Sequence, residues 1–188
     1  MIDGAPVIAQ AVLWNPTNRT YGMPDLLVRS DVLRAWFPDS LTDDEAHRGA
    51  PTLGGQSWHY RVIDIKFTTL ELDKTGHASS GHLPYMAQVF VYSEALGHLQ
   101  GYVPPSGYLL GRGWSQGDER GRTCLDRLAR VDLDYQTPRG RLQLRELAEA
   151  AVSWIRRVRV DGADWDVIPD PTVDELRPNM SSHVAHSE

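Results

Sequence analysis

Five polar residues have the types and spacing of a site that binds a divalent cation and acts on phosphate: Asp25, Asp64, Lys66, Gln88 and Tyr92. Two carboxylates on neighbouring strands offer the hard oxygen ligands that suit Mg²⁺ or Mn²⁺. A lysine beside them places positive charge where a phosphoryl oxygen and an attacking water would sit. A glutamine and a tyrosine four positions apart share one helical face, from which the glutamine can position a water and the tyrosine can reach a phosphate.

The stretch YRVIDIKF, residues 60–67, determines how the central charges are presented. Successive side chains of a strand point to opposite faces. We therefore expect Ile63, Ile65 and Phe67 to form the structural face, with Asp64 and Lys66 side by side on the other. An ordinary ion pair on a half-exposed strand accounts for these two charges when they are taken alone. Their combination with an aspartate on the preceding strand and a polar pair on the following helix favours a metal site.

The composition is that of a globular protein, with 188 residues, 41% hydrophobic side chains and a net charge of −6. The single cysteine excludes an internal disulfide framework, a four-cysteine zinc site and a cysteine-ligated iron–sulfur cluster. His59, His77 and His82 lack the spacing of zinc ligands. We see neither an apolar run of membrane length nor a signal peptide, so we expect a cytoplasmic protein with no membrane partner.

Hydrophobic periodicity and turn residues predict four strands and two helices in the order β-β-β-α-β-α. The strands are expected at 6–14, 23–33, 58–72 and 107–114, and the helices at 83–101 and 139–160. The first two strands are expected to form an antiparallel hairpin, and residues 37–57 are expected to form a polar surface excursion. This order indicates an α/β protein whose sheet is flanked by helices.

The polar residues and their order resemble the PD-(D/E)XK nuclease superfamily, and its RecB-type branch in particular. Pro24-Asp25 matches the PD element, and Asp64-Ile65-Lys66 matches the (D/E)xK element. Residues 88–92, QVFVY, match the QxxxY helix of the RecB-type branch. The resemblance covers about residues 6–114, and its specificity comes from the three motifs occurring in the right order on the right predicted elements.

The resemblance implies a restriction-endonuclease-like mixed β-sheet flanked by helices, in a domain of residues 1–167. Residues 168–188 would form an extended tail where a further region of a larger protein begins. It also implies a Mg²⁺- or Mn²⁺-dependent nuclease that hydrolyses phosphodiester bonds of DNA. Such a domain would be the cutting module of a larger repair, phage or defence assembly.

The resemblance assigns a role to each matching residue. Asp25, Asp64 and the backbone carbonyl of Ile65 would bind the cation. Lys66 would orient or help to deprotonate the attacking water and would stabilise charge on the phosphate. The last two, Gln88 and Tyr92, would support the site and contact the nucleic acid.

Several alternatives stay open at this level. Members of the superfamily usually carry an acidic residue or a histidine on a helix before the first strand, and almost nothing precedes Pro6 here. That helix is supplied elsewhere, or the metal site is incomplete and the chain is a catalytically inactive module that binds nucleic acid or a protein partner. A non-nuclease α/β domain with a chance ion pair is a third alternative, and RNA is not excluded as a substrate.

The arginines also have two interpretations each. Arg112, in GRGW, lies near a phosphate or in a tight turn. The arginines of 139–159 face DNA or pair with nearby glutamates.

Overall fold

The computed structural model describes residues 1, 3–121, 123, 125–136, 143–166 and 171–176. Within them the chain has a mixed α/β fold, in which helices flank a sheet of antiparallel and parallel strands. The strands are β1 (Val7–Ala9), β2 (Leu13–Asn15), β3 (Thr20–Gly22), β4 (Leu26–Arg29), β5 (Tyr60–Leu72), β6 (Ser106–Gln116), β7 (Glu119–Gly121) and β8 (Ala129–Asp132). The helices are α1 (Ser30–Trp36), α2 (Asp43–Ala46), α3 (Leu83–Gln100) and α4 (Leu144–Asp161), and no described helix is long and apolar enough to cross a membrane.

The main sheet has the order β1-β4-β5-β6-β7, and β8 also pairs with β6. The long central strands β5 and β6 run parallel, whereas β4 lies antiparallel to β5 on its other side. A parallel pair needs a crossover connection, and α3 supplies it, because it lies between β5 and β6 in the chain. Strands β2 and β3 form a separate antiparallel hairpin. The predicted strand at 58–72, helix at 83–101 and strand at 107–114 are therefore confirmed as β5, α3 and β6.

Two apolar clusters cover the two faces of the sheet. The larger joins the sheet to α3 and includes Val62, Leu70, Val89, Phe90 and Leu109. The smaller joins the opposite face to α1 and α2 and includes Val28, Leu33, Ala46, Ile63 and Tyr108. Full burial of one such apolar side chain contributes roughly 1.5–3 kcal/mol relative to exposure. Alternation along β5 thus directs Val62 to one cluster and Ile63 to the other.

A buried polar network joins the starts of β5 and β6. The guanidinium of Arg61 is fully buried and donates from Nε to His59 Nε2 at 2.8 Å and from Nη1 to the Ser106 carbonyl at 2.8 Å. The His59 Nδ1 lies 2.8 Å from the Arg48 carbonyl, so Nδ1 carries the proton of a neutral ring. Burial, followed by the charge of Arg61, lowers the pKa of His59 to about 4. The Arg61 Nη2 lies 3.5 Å from Glu45 Oε1, which supplies the balancing charge.

Three expectations from the sequence are wrong in detail. The predicted strand 6–14 is two strands, β1 and β2, separated at Gln10, where φ is 50°. The predicted strand 23–33 ends at Arg29 and continues as α1, whose first turn carries Asp31 and buries Leu33 on the sheet. Strands β1 and β4 pair antiparallel as expected, but the β2–β3 hairpin lies between them rather than a tight turn.

The segment 37–57 is more than a polar surface excursion. It contains α2, which begins with a capping box in which the Thr42 side chain accepts from the Glu45 N–H. Leu41, Ala46 and Leu53 of this segment are buried in the apolar clusters. Its turns are polar, but apolar side chains three to five positions apart return to the two apolar clusters.

The predicted structural face of β5 is also partly wrong. Ile63 is buried, but Ile65 is 48% exposed and Phe67 is 87% exposed. The cluster that contains Ile63 ends along the strand before these two residues. Alternation therefore predicts correctly which residues share a face, but that face is covered over only part of its length.

The chain divides into two units, Met1–Glu149 and Ala150–Glu188, and the sheet belongs to the first. In the second unit the rings of Trp154 and Trp165 stack with centroids 5.4 Å apart, and Arg157 pairs with Glu175 at 2.6 Å. Helix α4 begins at Leu144, and residues 139–142 of the predicted helix lie outside the described residues. The predicted domain boundary at 167/168 and most of the predicted tail also lie outside them.

Candidate functional site

The antiparallel register of β4 and β5 brings the two aspartates together. Leu26 lies opposite Ile63, so the next residues along the two chains, Asp25 and Asp64, come opposite each other. Side chains of directly opposite residues share one sheet face. The Asp25 Oδ2 accepts a hydrogen bond from the Ile65 N–H at 2.7 Å, which fixes the carboxylate beside β5, just before β4 begins.

The surroundings of Asp64 disfavour the charged form of its carboxylate. Asp64 is only 3% exposed. Burial raises its pKa above the usual value, the charge of Lys66 opposes that effect, and the neighbouring Asp25 raises the pKa further. The Asp64 Oδ2 lies 2.5 Å from Lys66 Nζ, yet it makes no aligned hydrogen bond to any described residue. A second cation at this position would offset the cost of burying the charged Asp64 carboxylate, and it would reduce the repulsion between Asp64 and Asp25.

Helix α3 holds the lysine from the other side. The Lys66 Nζ donates to Gln88 Oε1 at 2.7 Å, and the Gln88 Nε2 donates to Tyr92 Oη at 2.8 Å. The glutamine and the tyrosine lie one helical turn apart, so the helix presents them as one unit. The same ammonium lies 4.9 Å from the ring centre of Tyr85, within cation–π range.

Two contacts position α3 on the main sheet, and a third positions it on the β2–β3 hairpin. The Gln100 amide, at the helix C-terminus, accepts from the Tyr60 N–H at 3.0 Å and donates to the Tyr60 carbonyl at 3.2 Å. A Cβ at Gly107 of β6 would lie 2.5 Å from Val89 Cγ1, so the glycine permits close approach of the helix. A Cβ at Gly22 of β3 would lie 2.2 Å from Cε1 of the Tyr92 ring, so the hairpin supports Tyr92 in the same way.

The residues present fit a hard divalent cation. Two carboxylates converge, and a residue in a strand points its N–H and its C=O to the same edge. The Ile65 carbonyl therefore faces the edge at which its N–H meets Asp25. Among the described residues no group of three or more His, Cys, Asp or Glu side chains is placed to hold a metal. Mg²⁺ commonly binds through one or two carboxylates and keeps several waters, so two carboxylates and a carbonyl suit it.

The structure brings together Asp25, Asp64, Ile65, Lys66, Gln88 and Tyr92, all of the predicted site except Arg112. Arg112 lies on the opposite sheet face, where its guanidinium is 5.1 Å from the ring centre of the exposed Phe67. The register explains the separation. Leu110 pairs with Ile65, and Arg112 shares the face of Leu110 by alternation.

Sequence reasoning missed Tyr85, which borders the lysine, and His82, which stacks on Tyr85. The two rings stack with centroids 6.0 Å apart, and the His82 Nε2 accepts from the Glu71 N–H at 3.0 Å. A signal for Tyr85 existed, because it precedes Gln88 by three positions and Tyr92 by seven. That spacing places all three side chains on one helical face.

No protein-family model matches the chain, and no curated protein matches it either.

Proposed function

We propose that this chain is a Mg²⁺- or Mn²⁺-dependent nuclease domain with the restriction-endonuclease-like arrangement of the RecB-type PD-(D/E)XK proteins, acting on DNA. One observation carries the proposal. The three motifs of the resemblance, which are far apart in sequence, meet in one continuous set of contacts. It runs from Asp25 through the Ile65 N–H and Asp64 to Lys66, and from there to Gln88 and Tyr92.

The chain's own residues have distinct tasks in this proposal. Asp25, Asp64 and the carbonyl of Ile65 hold the cation, which when bound lowers the pKa of a coordinated water and polarises a phosphoryl oxygen. An ammonium has three N–H donors. In Lys66 one is donated to Gln88, and the ammonium as a whole lies against the Asp64 carboxylate. A remaining N–H is available for a phosphate oxygen, where the positive charge stabilises the charge that develops during hydrolysis.

Orientation of the lysine is the task of α3. Lys66 is flexible by nature, and preorganised charge is more effective than mobile charge because no reorganisation is needed at the moment of reaction. Gln88 restrains the ammonium on one side, and Tyr92 restrains Gln88. The ring of Tyr85 covers the ammonium within cation–π range.

A cleavage assay tests the proposal. Labelled single- and double-stranded DNA is incubated with Mg²⁺ or Mn²⁺ and with the wild type, Asp64→Ala or Lys66→Ala. Asp44→Asn and Arg19→Gln are matched controls, because both side chains are exposed and neither has an ion pair among the described residues. We expect metal-dependent cleavage by the wild type and the controls, and a fall of about 10²–10³-fold in both site variants. Equal rates in all five proteins would refute the assignment.

The second candidate is a catalytically inactive nuclease-fold module that binds nucleic acid or a protein partner. It is favoured by the close Lys66–Asp64 pair, because the ammonium lies where a cation would bind. Calorimetric titration with Mn²⁺ separates the two functions. Binding that is lost in Asp64→Ala supports the nuclease, whereas DNA binding without Mn²⁺ binding at millimolar concentration supports the module.

A further inference from the structure

A cavity of about 440 Å³ lies on the sheet face opposite Asp64 and Lys66. Tyr108, which lines it, pairs with Ile63, whereas Asp64 pairs with Leu109. Adjacent positions on β6 point to opposite faces, so the cavity and the candidate metal site are separated by the sheet. Its size falls within the range of small-ligand pockets.

One wall of the cavity carries an arginine held in a fixed orientation. The Arg130 Nε donates to Asp132 Oδ1 at 2.7 Å, and the other oxygen of Asp132 lies 2.9 Å from His77 Nε2. This anchoring leaves the two terminal nitrogens of Arg130 without a hydrogen bond to any described residue. A guanidinium that is anchored at Nε, with terminal nitrogens that bond to no described residue, presents a fork suited to a phosphate or a carboxylate.

Two more cations border the same space. Arg127 lies with its guanidinium 4.6 Å from the ring centre of Trp114 and contacts Gln116 Oε1, and Lys74 is exposed at the mouth. Neither Arg127 nor Lys74 forms an ion pair with a carboxylate within the part of the chain that the structure describes. Three cationic side chains thus border one cavity, two of them without an acidic ion-pair partner among the described residues, and they can receive one anionic group.

The other residues that line the cavity indicate which groups the ligand carries besides the anion. Trp36, 55% exposed, and Phe37 form an aromatic wall on which a flat ring can stack. The carboxylates of Asp39 and Asp126 also border the cavity and can accept hydrogen bonds from hydroxyl groups. A purely inorganic anion would use neither the aromatic wall nor the carboxylates.

We propose that this cavity is a second ligand site, which binds a nucleoside 5′-phosphate. The phosphate meets Arg130, Arg127 and Lys74, the base stacks on the aromatic wall, and the ribose hydroxyls face the carboxylates. The site is independent of the metal site on the other sheet face, so it does not rest on the proposed nuclease activity.

Calorimetric titration of the whole chain with AMP tests the site, with EDTA present so that no divalent cation contributes. Adenosine and inorganic phosphate are titrated in parallel. We expect AMP to bind with one-to-one stoichiometry and at least tenfold more tightly than either fragment. Failure of AMP to bind at millimolar concentration would overturn the proposal. Equal affinity for phosphate would reduce the cavity to an anion site, and equal affinity for adenosine would remove the role of the cations; either result overturns the nucleotide assignment.

Variants locate the binding. Arg130→Gln removes a charged hydrogen-bond donor and should weaken AMP binding about tenfold or more. Lys74→Gln, at an exposed position, does not endanger folding and should weaken it severalfold. Arg19→Gln, at an exposed arginine in the β2–β3 turn, should bind AMP like the wild type. Unchanged affinity in both Arg130→Gln and Lys74→Gln, with unaltered thermal unfolding, would place the nucleotide elsewhere and refute the assignment.

Discussion

Replacement of Gln88 by leucine tests how the helix controls the lysine. The Lys66 Nζ donates to Gln88 Oε1 at 2.7 Å, and the same ammonium lies 2.5 Å from Asp64 Oδ2. Leucine has a similar volume but no acceptor, so the ammonium loses the partner on the helix side and keeps the carboxylate. We expect Lys66 to move fully onto Asp64, where it competes with a divalent cation and is less well placed for a phosphate oxygen.

The size of the effect follows from the geometry. A hydrogen bond to a charged group contributes about 1.5–3 kcal/mol. The lysine side chain is 17% exposed, so water partly replaces the lost acceptor and the lower half of that range applies. At about 1.4 kcal/mol for each tenfold in rate, kcat should fall roughly 10- to 50-fold. The Mn²⁺ concentration for half-maximal cleavage should rise in parallel, because the Lys66 ammonium competes with the cation for the Asp64 carboxylate.

The assay measures kcat over a range of Mn²⁺ concentrations, together with thermal unfolding. Gln56→Leu makes the same chemical change at an exposed position before β5 and should match the wild type. A Gln88→Leu protein with wild-type kcat and wild-type Mn²⁺ dependence would refute the reasoning. So would a loss equal to that of Lys66→Ala, because it would mean that the lysine has no function once the helix contact is gone.

Three further predictions concern stability. The raised pKa of Asp64 means that the folded protein binds more protons than the unfolded chain, so its stability falls as the pH rises above about 4. Asp64→Asn should remove that fall and raise the melting temperature of the metal-free protein at neutral pH. Gly22→Ala forces a Cβ to within 2.2 Å of the Tyr92 ring and should cost about 1–3 kcal/mol in denaturant unfolding. Because the pKa of His59 is lowered to about 4 in the folded protein, a fall in pH protonates this histidine in the unfolded chain before it does so in the folded one. Stability should therefore drop by roughly 3 kcal/mol as the pH falls from 6.5 to about 4, and the ring should titrate near 4 by NMR.

Each of the three has a contrary outcome. A metal-free Asp64→Asn protein that melts lower than the wild type at neutral pH would show that the Lys66 pair outweighs burial. Gly81→Ala is the control for Gly22→Ala, since the nearest atom to its Cβ, Ser79 Oγ, is 3.6 Å away and the backbone is unstrained. Equal stability of the two alanine variants would contradict the close packing. A His59 ring that titrates near 6.5 would contradict its burial.

The elements that carry the site were predictable because their patterns are long. Strand β5 alternates over many residues, and α3 has a proline in its first turn and Gly101, with φ of 69°, just beyond its last residue. Such patterns fix the element and the face on which a residue lies. Strand alternation predicts that Asp64 and Lys66 share a face. The antiparallel pairing of β4 with β5, which brings Asp25 opposite Asp64, was not predicted, because the predicted hairpin joined the first strand to β4.

The rest depended on tertiary structure. Strand alternation places Ile65 with Ile63, but it cannot tell that the covering helices stop before Ile65. The same reason explains Arg112, because the face to which it belongs depends on the register of β5 and β6. The turn from β4 into α1 was missed because apolar residues in that stretch fit both a period of two and a helical period.

Because β4 begins only at Leu26, opposite Ile63, β5 has a strand partner on at most one side from Ile65 to Leu70 among the described residues. An open strand edge invites pairing with another molecule, and proteins discourage it with charges and bulges. Here the register is interrupted between Lys66 and Thr69, and the charges of Asp64 and Lys66 stand at the start of the open stretch. Asp64 and Lys66 thus also protect the strand against edge-to-edge self-association. Alanine variants of either residue expose a more apolar edge, so loss of monodispersity in these proteins is a consequence of the fold and separate from loss of chemistry.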